Sequence, residues 1–272
     1  MRILIRSSKT AIWARRLGSL AVPLVVLSVV LHRLGLISSN VFQIAALVAG
    51  LVAALAVLLA GIALLRLWFT GDHGWRNCFW AVFWGLLCLV PFAWHAQLAW
   101  RYPHVTDVAT ASTSLLPLTF EPDTAVMPNA RMLSREDHLH SFPSALTRAY
   151  PIAREELHAL VLRLIAQQGW DVRFDQVPSE FSGRINARVT TLIGWREEVV
   201  FGISATSTGS KIDMRSASIG AAHDFGSNGN RIMSFLSSLD NEVTAFIRDN
   251  PSLNQPDAAD EAESPQVEMG GA

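Results

Sequence analysis

The nineteen residues Met214–Ile232, MRSASIGAAHDFGSNGNRI, bring together two arginines, three serines, three glycines, a His-Asp pair and two asparagines. Three chemistries can be drawn from such a set. Nucleophilic catalysis would need an exposed serine activated by His223 and Asp224. The sequence has no G-x-S-x-G elbow to expose one. Strand alternation also places Ser216 and Ser218 on the face of Ile212 and Met214, which points them inward. No catalytic residue is assigned. Anion binding would use the free N–H groups of a glycine-rich turn entering a helix, with Arg215 and Arg231 adding charge-assisted hydrogen bonds. No G-K-[ST] follows, so a nucleotide P-loop is excluded. The candidate ligand-binding set is Arg215, Ser216, Ser218, Asp224, Asn228 and Arg231. Metal binding would draw on REDHLH, where Glu136, His138 and His140 give a His-x-His spacing. No further histidine or cysteine is placed to complete the site, so neither metal nor cofactor is expected.

The same stretch also reads as a joint between a strand and a helix. Its glycines permit tight turns, Ser227 or Asn228 can cap the following helix, and Asp224 can pair with Arg215 or Arg231 to pin strand to helix. This joint is the favoured reading, with anion binding the alternative use of the same atoms.

The elements around it follow from periodicity. After Pro151, Leu157, Leu160, Val161, Leu164 and Ile165 make one helical stripe that stops at Gly169. WDVRFDQV is a first strand. Ile185, Ala187, Val189, Thr191 and Ile193 alternate with Arg184, Asn186, Arg188 and Thr190 as a half-buried second. Val199, Phe201, Ile203 and Ala205 mark a third, and TSTGS turns into a fourth, KIDMRSASI. Ile232, Phe235, Leu236, Leu239, Val243, Phe246 and Ile247 form a last helical stripe before Pro251. The order predicts a small α+β domain over 151–250, an antiparallel sheet of about four strands with two helices on one face. Residues 101–150 show neither period and are expected to be an irregular lead-in. The acidic segment 251–272 is expected to be a disordered tail.

Residues 1–100 carry eight Lys/Arg and one acid, Asp72, whereas 101–272 carry fourteen Lys/Arg and twenty-two acids. The acidic part argues against nucleic acid as a partner. Three apolar segments in the first hundred residues read as transmembrane helices, at about 17–37, 43–66 and 78–100. Five basic residues precede the first, and Arg66 and Arg76 bracket the loop between the second and third. The positive-inside rule then gives an in-out-in-out path, with a cytoplasmic N-terminus and everything after Trp100 on the far side. For a bacterial cell this is a multi-pass inner-membrane protein with a periplasmic domain. Rows of small residues in the second span, Ala45/Ala49/Ala53 and Ala46/Gly50/Ala54, would let helices approach closely. They suit packing within the chain or a homo-oligomer. Cys78 and Cys88 lie on different helix faces, so no disulfide is expected between them.

RYPHVTDVAT after the last span, AYP, GWDV and the Met214–Ile232 stretch together resemble the bacterial domain-of-unknown-function family 1499. That family's last motif runs approximately Arg-Ser-x-Ser-Arg-x-Gly-x-x-Asp-x-Gly-x-Asn-x-x-Arg-Ile. Arg215, Ser216, Ser218, Asp224, Gly226, Asn228, Arg231 and Ile232 fall in register with it. Ile219 stands where the family usually has a second arginine, Gly220 is displaced by one, and Ala111 replaces a frequent acid. The resemblance covers roughly 101–250 and implies a domain boundary, not a reaction. The expected function is an inner-membrane protein presenting a periplasmic binding or interaction module. Its expected partners are the lipid bilayer and an anionic envelope ligand or envelope protein. The alternative is an envelope hydrolase using the Arg215–Arg231 region.

Overall fold

The computed structural model describes residues 7–111, 115–119, 133–178 and 182–250. Three long helices come first: α1 (Lys9–Arg33), α2 (Ser39–Thr70) and α3 (Trp75–Arg101). All three are long and apolar enough to cross a membrane. α2 and α3 run beyond the apolar stretches read from sequence at both ends, whereas α1 starts earlier, at Lys9, and stops at Arg33, short of the expected 37. Ser8 and Ser38 accept from the first-turn amides of α1 and α2.

The three helices bury small residues and expose large ones. Ala11, Ala14, Gly18, Ala21, Ser28 and His32 are buried along α1. Ala49, Ala53, Ala56, Ala60, Ala63 and Leu67 are buried along α2, and Cys78, Ala81, Gly85 and Cys88 along α3. These alternate in steps of three and four, the 3.5-residue period of a left-handed helical bundle. A Cβ on Gly85 would lie 2.6 Å from a methyl of Val57, so the close approach of α2 and α3 requires glycine there. Ala49 and Ala53 of the small rows are thus spent inside the bundle. Leu47, Leu58, Leu65 and Phe69 instead face outward and exposed. A water-soluble bundle would do the reverse, so this distribution calls for an apolar solvent and marks the chain as membrane-associated.

The rest is an α+β domain. β1 (Asp107–Ala109), α4 (Arg135–Ser141), β2 (Arg148–Tyr150), α5 (Arg154–Gln167), β3 (Asp171–Gln176), β4 (Ser182–Thr190), β5 (Arg196–Thr206), β6 (Gly209–Ser218) and α6 (Ser227–Asp249) follow in order. The sheet is antiparallel, ordered β1-β6-β5-β4-β3, with β2 also paired to β6. The four strands expected from alternation are β3 to β6. The sheet nevertheless has six strands, not about four, because two three-residue strands from the 101–150 segment occupy the free edge of β6. That segment was expected to be irregular, yet its described residues supply β1, α4 and β2. The segment 251–272 lies outside the described residues.

Helices α5 and α6 cover one face. Ile185, Ala187, Val199, Phe201, Ile203, Ile212 and Met214 meet Leu157, Ile165, Ile232, Phe235 and Leu236 there, all essentially inaccessible to water. The opposite face is only half open. Residues 115–119 run across it, and Leu116 fills the space over Gly202, where a Cβ would come within 2.5 Å of its methyl. The strap explains why Asn186 of β4, expected to face water, is fully buried.

Among the described residues, the domain is joined to the helices at two places. At the end of α1, His32 Nδ1 lies 2.6 Å from the Ile193 carbonyl and Arg33 donates to the Leu192 carbonyl at 2.8 Å. The His32 ring stacks on Phe42 and meets Trp195 edge-on. At the exit of α3, His95 packs edge-to-face on Phe225. The opposite end of the bundle holds the N-terminal segment and the α2–α3 loop. There the Ser8 amide donates to the His73 carbonyl and Arg15 to the Asn77 side chain.

Candidate functional site

The Met214–Ile232 stretch interlocks with the residues that leave the membrane anchor. The strand register splits the sequence-selected set between the two faces of the sheet. Asp213, Arg215 and Ala217 point away from the helices, and Met214, Ser216 and Ser218 point toward them. On the open face, the Arg215 guanidinium makes a bidentate contact with the buried Asp107 carboxylate of β1 and donates to the Leu116 carbonyl. Beside it, Asn186 donates to Glu198, which also accepts from the amide and hydroxyl of Thr119.

On the helix face, Ser216 donates to Asn228 at 2.7 Å, and Asn228 donates to Ser218 and to the Thr106 carbonyl. Arg231 pairs with Glu197 and donates to Ser216 and Asn228. Glu197 also accepts from Ser218 and Ser227. Glu197 was missed from sequence because it sits one residue inside a strand whose apolar alternation only begins at Val199.

Asp224 does not pair with either arginine, contrary to the sequence expectation. It accepts from the amides of Gly226 at 2.9 Å and Asn228 at 3.3 Å, so it caps α6 in place of Ser227 or Asn228. The reason is strand register: Asp107 and Glu197 reach the guanidiniums from neighbouring strands, whereas Asp224 is held in the turn by the amides it accepts. Burial pushes the Asp224 carboxyl above its ordinary range against the pull of these amides, and the nearby Glu197 charge adds to the rise. Gly226 adopts φ +80°, and a Cβ there would strike the Tyr102 ring at 2.6 Å. One turn on, a Cβ on Gly229 would come within 2.3 Å of the Phe142 ring.

His223 accepts the Phe225 amide at Nδ1, so its 3.8 Å approach to Asp224 is not an ion pair. Burial, then the neighbouring His104, pull its imidazole below the ordinary 6.5. Ser216 and Ser218 are buried and hydrogen-bonded, and no serine of the stretch is bonded to His223. Of the REDHLH trio, His138 sits on α4 and bonds the Ala145 carbonyl.

The two quoted stretches RYPHVTDVAT and MRSASIGAAHDFGSNGNRI are therefore halves of one network. Tyr102, Val105, Thr106, Asp107 and Thr110 from the first each contact the second or its flanking strand. This latch joins anchor, strand and final helix, and its polar groups are largely committed to one another.

A different region offers open, charged space. A cavity of about 980 Å³ lies between the α1–α2 loop and the open face of the sheet. Arg33, Arg173, Arg188, Arg196 and Glu198 line it, and Ile219 borders it. A β-bulge between Val172 and Phe174 makes Arg173 the extra residue of β3. Bulges re-aim side chains, and here both Arg173 and Arg188 reach Asp171, each at 3.0 Å. Arg196 reaches across toward Gly35. No short motif marks this site, since each arginine comes from a different element.

Fold and geometry thus define a membrane-associated α+β domain latched to a three-helix anchor. Residues 108–239 match the family described as protein of unknown function (DUF1499). No curated protein and no solved structure matches the chain.

Proposed function

We propose that the chain is an inner-membrane protein presenting a binding module on the extracytoplasmic side, in a bacterial cell the periplasm, for an anionic envelope ligand. The observation that carries the reading is the arginine-lined cavity between anchor and domain. The side of the membrane rests on charge. Lys9, Arg15, Arg16, Arg66 and Arg76 all belong to the end of the bundle remote from the domain, and such residues favour the cytoplasm. Binding is favoured over hydrolysis because the serines, Asp224 and both motif arginines are already engaged within the latch.

The test is thermal unfolding of the full chain in a neutral detergent. Saturating anionic envelope components should raise the midpoint, as ligand at a hundred times Kd adds about 2.7 kcal/mol. Their uncharged counterparts should not. Equal midpoints with every component would contradict the binding-module reading.

A further inference from the structure

We infer that the cavity holds the phosphate of a phospholipid headgroup from the leaflet beside the domain, an inference that rests on the binding-module reading above. The lining places four guanidinium groups, Arg33, Arg173, Arg188 and Arg196, against the Glu198 carboxylate and the neighbouring Asp171. A phosphate ester carries one or two negative charges, and arginine forks match phosphate oxygens two at a time. Among the described residues Arg196 has no carboxylate partner, so it brings an uncompensated charge to the rim. Ser38, Ser39 and Thr190 add hydroxyls around the same space.

Location selects the source of the phosphate. The cavity opens where α1 ends and α2 begins, the level at which two membrane-capable helices leave the apolar layer. Its rim carries Leu34 and Leu36, 66% and 68% exposed, and the adjoining β4–β5 turn carries Leu192, 81% exposed. A site for a water-borne phosphate gains nothing from such an apolar collar. A site for a headgroup still attached to its acyl chains does, because the leucines can enter the lipid beside it.

Native mass spectrometry of the full chain, released from neutral detergent, tests the assignment. The probes are phosphatidylglycerol, diacylglycerol and free glycerol phosphate. The variants are Arg196→Glu and Arg188→Gln at the cavity, and Arg16→Gln at the opposite end of the bundle. The expected result is one phosphatidylglycerol retained by wild type and Arg16→Gln, and retained about tenfold or more weakly by each cavity variant. Diacylglycerol and glycerol phosphate should not be retained. Unaltered phosphatidylglycerol retention in both cavity variants overturns the cavity assignment and leaves the binding-module reading standing. Glycerol phosphate displacing the lipid at equal concentration overturns the membrane source. Failure of every anionic probe on wild type overturns the inference, and the flat thermal response described above would separately remove the module. Two cavity variants, one at an exposed residue, keep the outcome independent of a single folding defect.

Discussion

At the scale of single residues, the buried Arg231–Glu197 pair is the most demanding feature of the latch. The Glu197 side chain is nearly inaccessible and that of Arg231 mostly covered, and Glu197 also accepts from two hydroxyls. Removing one partner strands the other charge in a dry site, so Arg231→Ala should cost about 3 kcal/mol or more in denaturant unfolding. Replacing both partners by apolar residues of similar volume should recover much of that loss. Gly229→Ala forces a methyl into the Phe142 ring and should cost about 1–3 kcal/mol by overpacking. His223 gives a pH signature. Its folded value lies below 6.5, so the unfolded chain takes up the proton first as pH falls. Its contribution is therefore complete above 6.5 and is lost as pH drops through the lower, folded value. The groups facing it are His104, at 5.0 Å between rings, Phe225 and Asp224. Unfolding measured from pH 7.5 to 5 should show a decline in stability that is reduced in His223→Gln.

At the scale of elements, what could be read in the sequence divides by the range of the signal. The three spans, the four long strands and the stripes of α5 and α6 repeat a local period over many residues, so they were legible. The inward face of Ser216 and Ser218 followed from the same alternation. β1 and β2 were not legible, because three residues hold no period and their place is set by the free edge of β6. The partners of the motif arginines were hidden for a related reason. Asp107 lies 108 positions from Arg215, and only the register of β1 on β6 brings them together. The cavity was hidden more deeply, since its arginines sit on a helix end, a bulge and two strands. The β4–β5 turn is the element that fixes its geometry. Gly194 adopts φ +92°, and a Cβ there would lie 2.7 Å from the Arg33 Cα. Gly194→Ala should therefore loosen the turn from α1 and speed hydrogen exchange at the Thr191 and Gly194 amides, while exchange in the centre of β5 stays slow.

At the scale of the whole molecule, the bundle and the domain meet by hydrogen bonds at the end of α1 and by a ring contact near the exit of α3, and the cavity lies beside the first of these. The extracytoplasmic module proposed above requires this cavity to sit at the outer surface of the membrane, which makes the side of the membrane the claim on which the functional account depends. Single cysteines introduced at Ser38, in the α1–α2 loop beside the cavity, and at Asp72, in the α2–α3 loop, report it directly. The native Cys78 and Cys88 are buried and should stay silent. In intact cells a membrane-impermeant maleimide should label Ser38→Cys and leave Asp72→Cys unlabelled until the membrane is opened. Labelling of Asp72→Cys in intact cells, with Ser38→Cys protected, would place the domain in the cytoplasm and contradict the account.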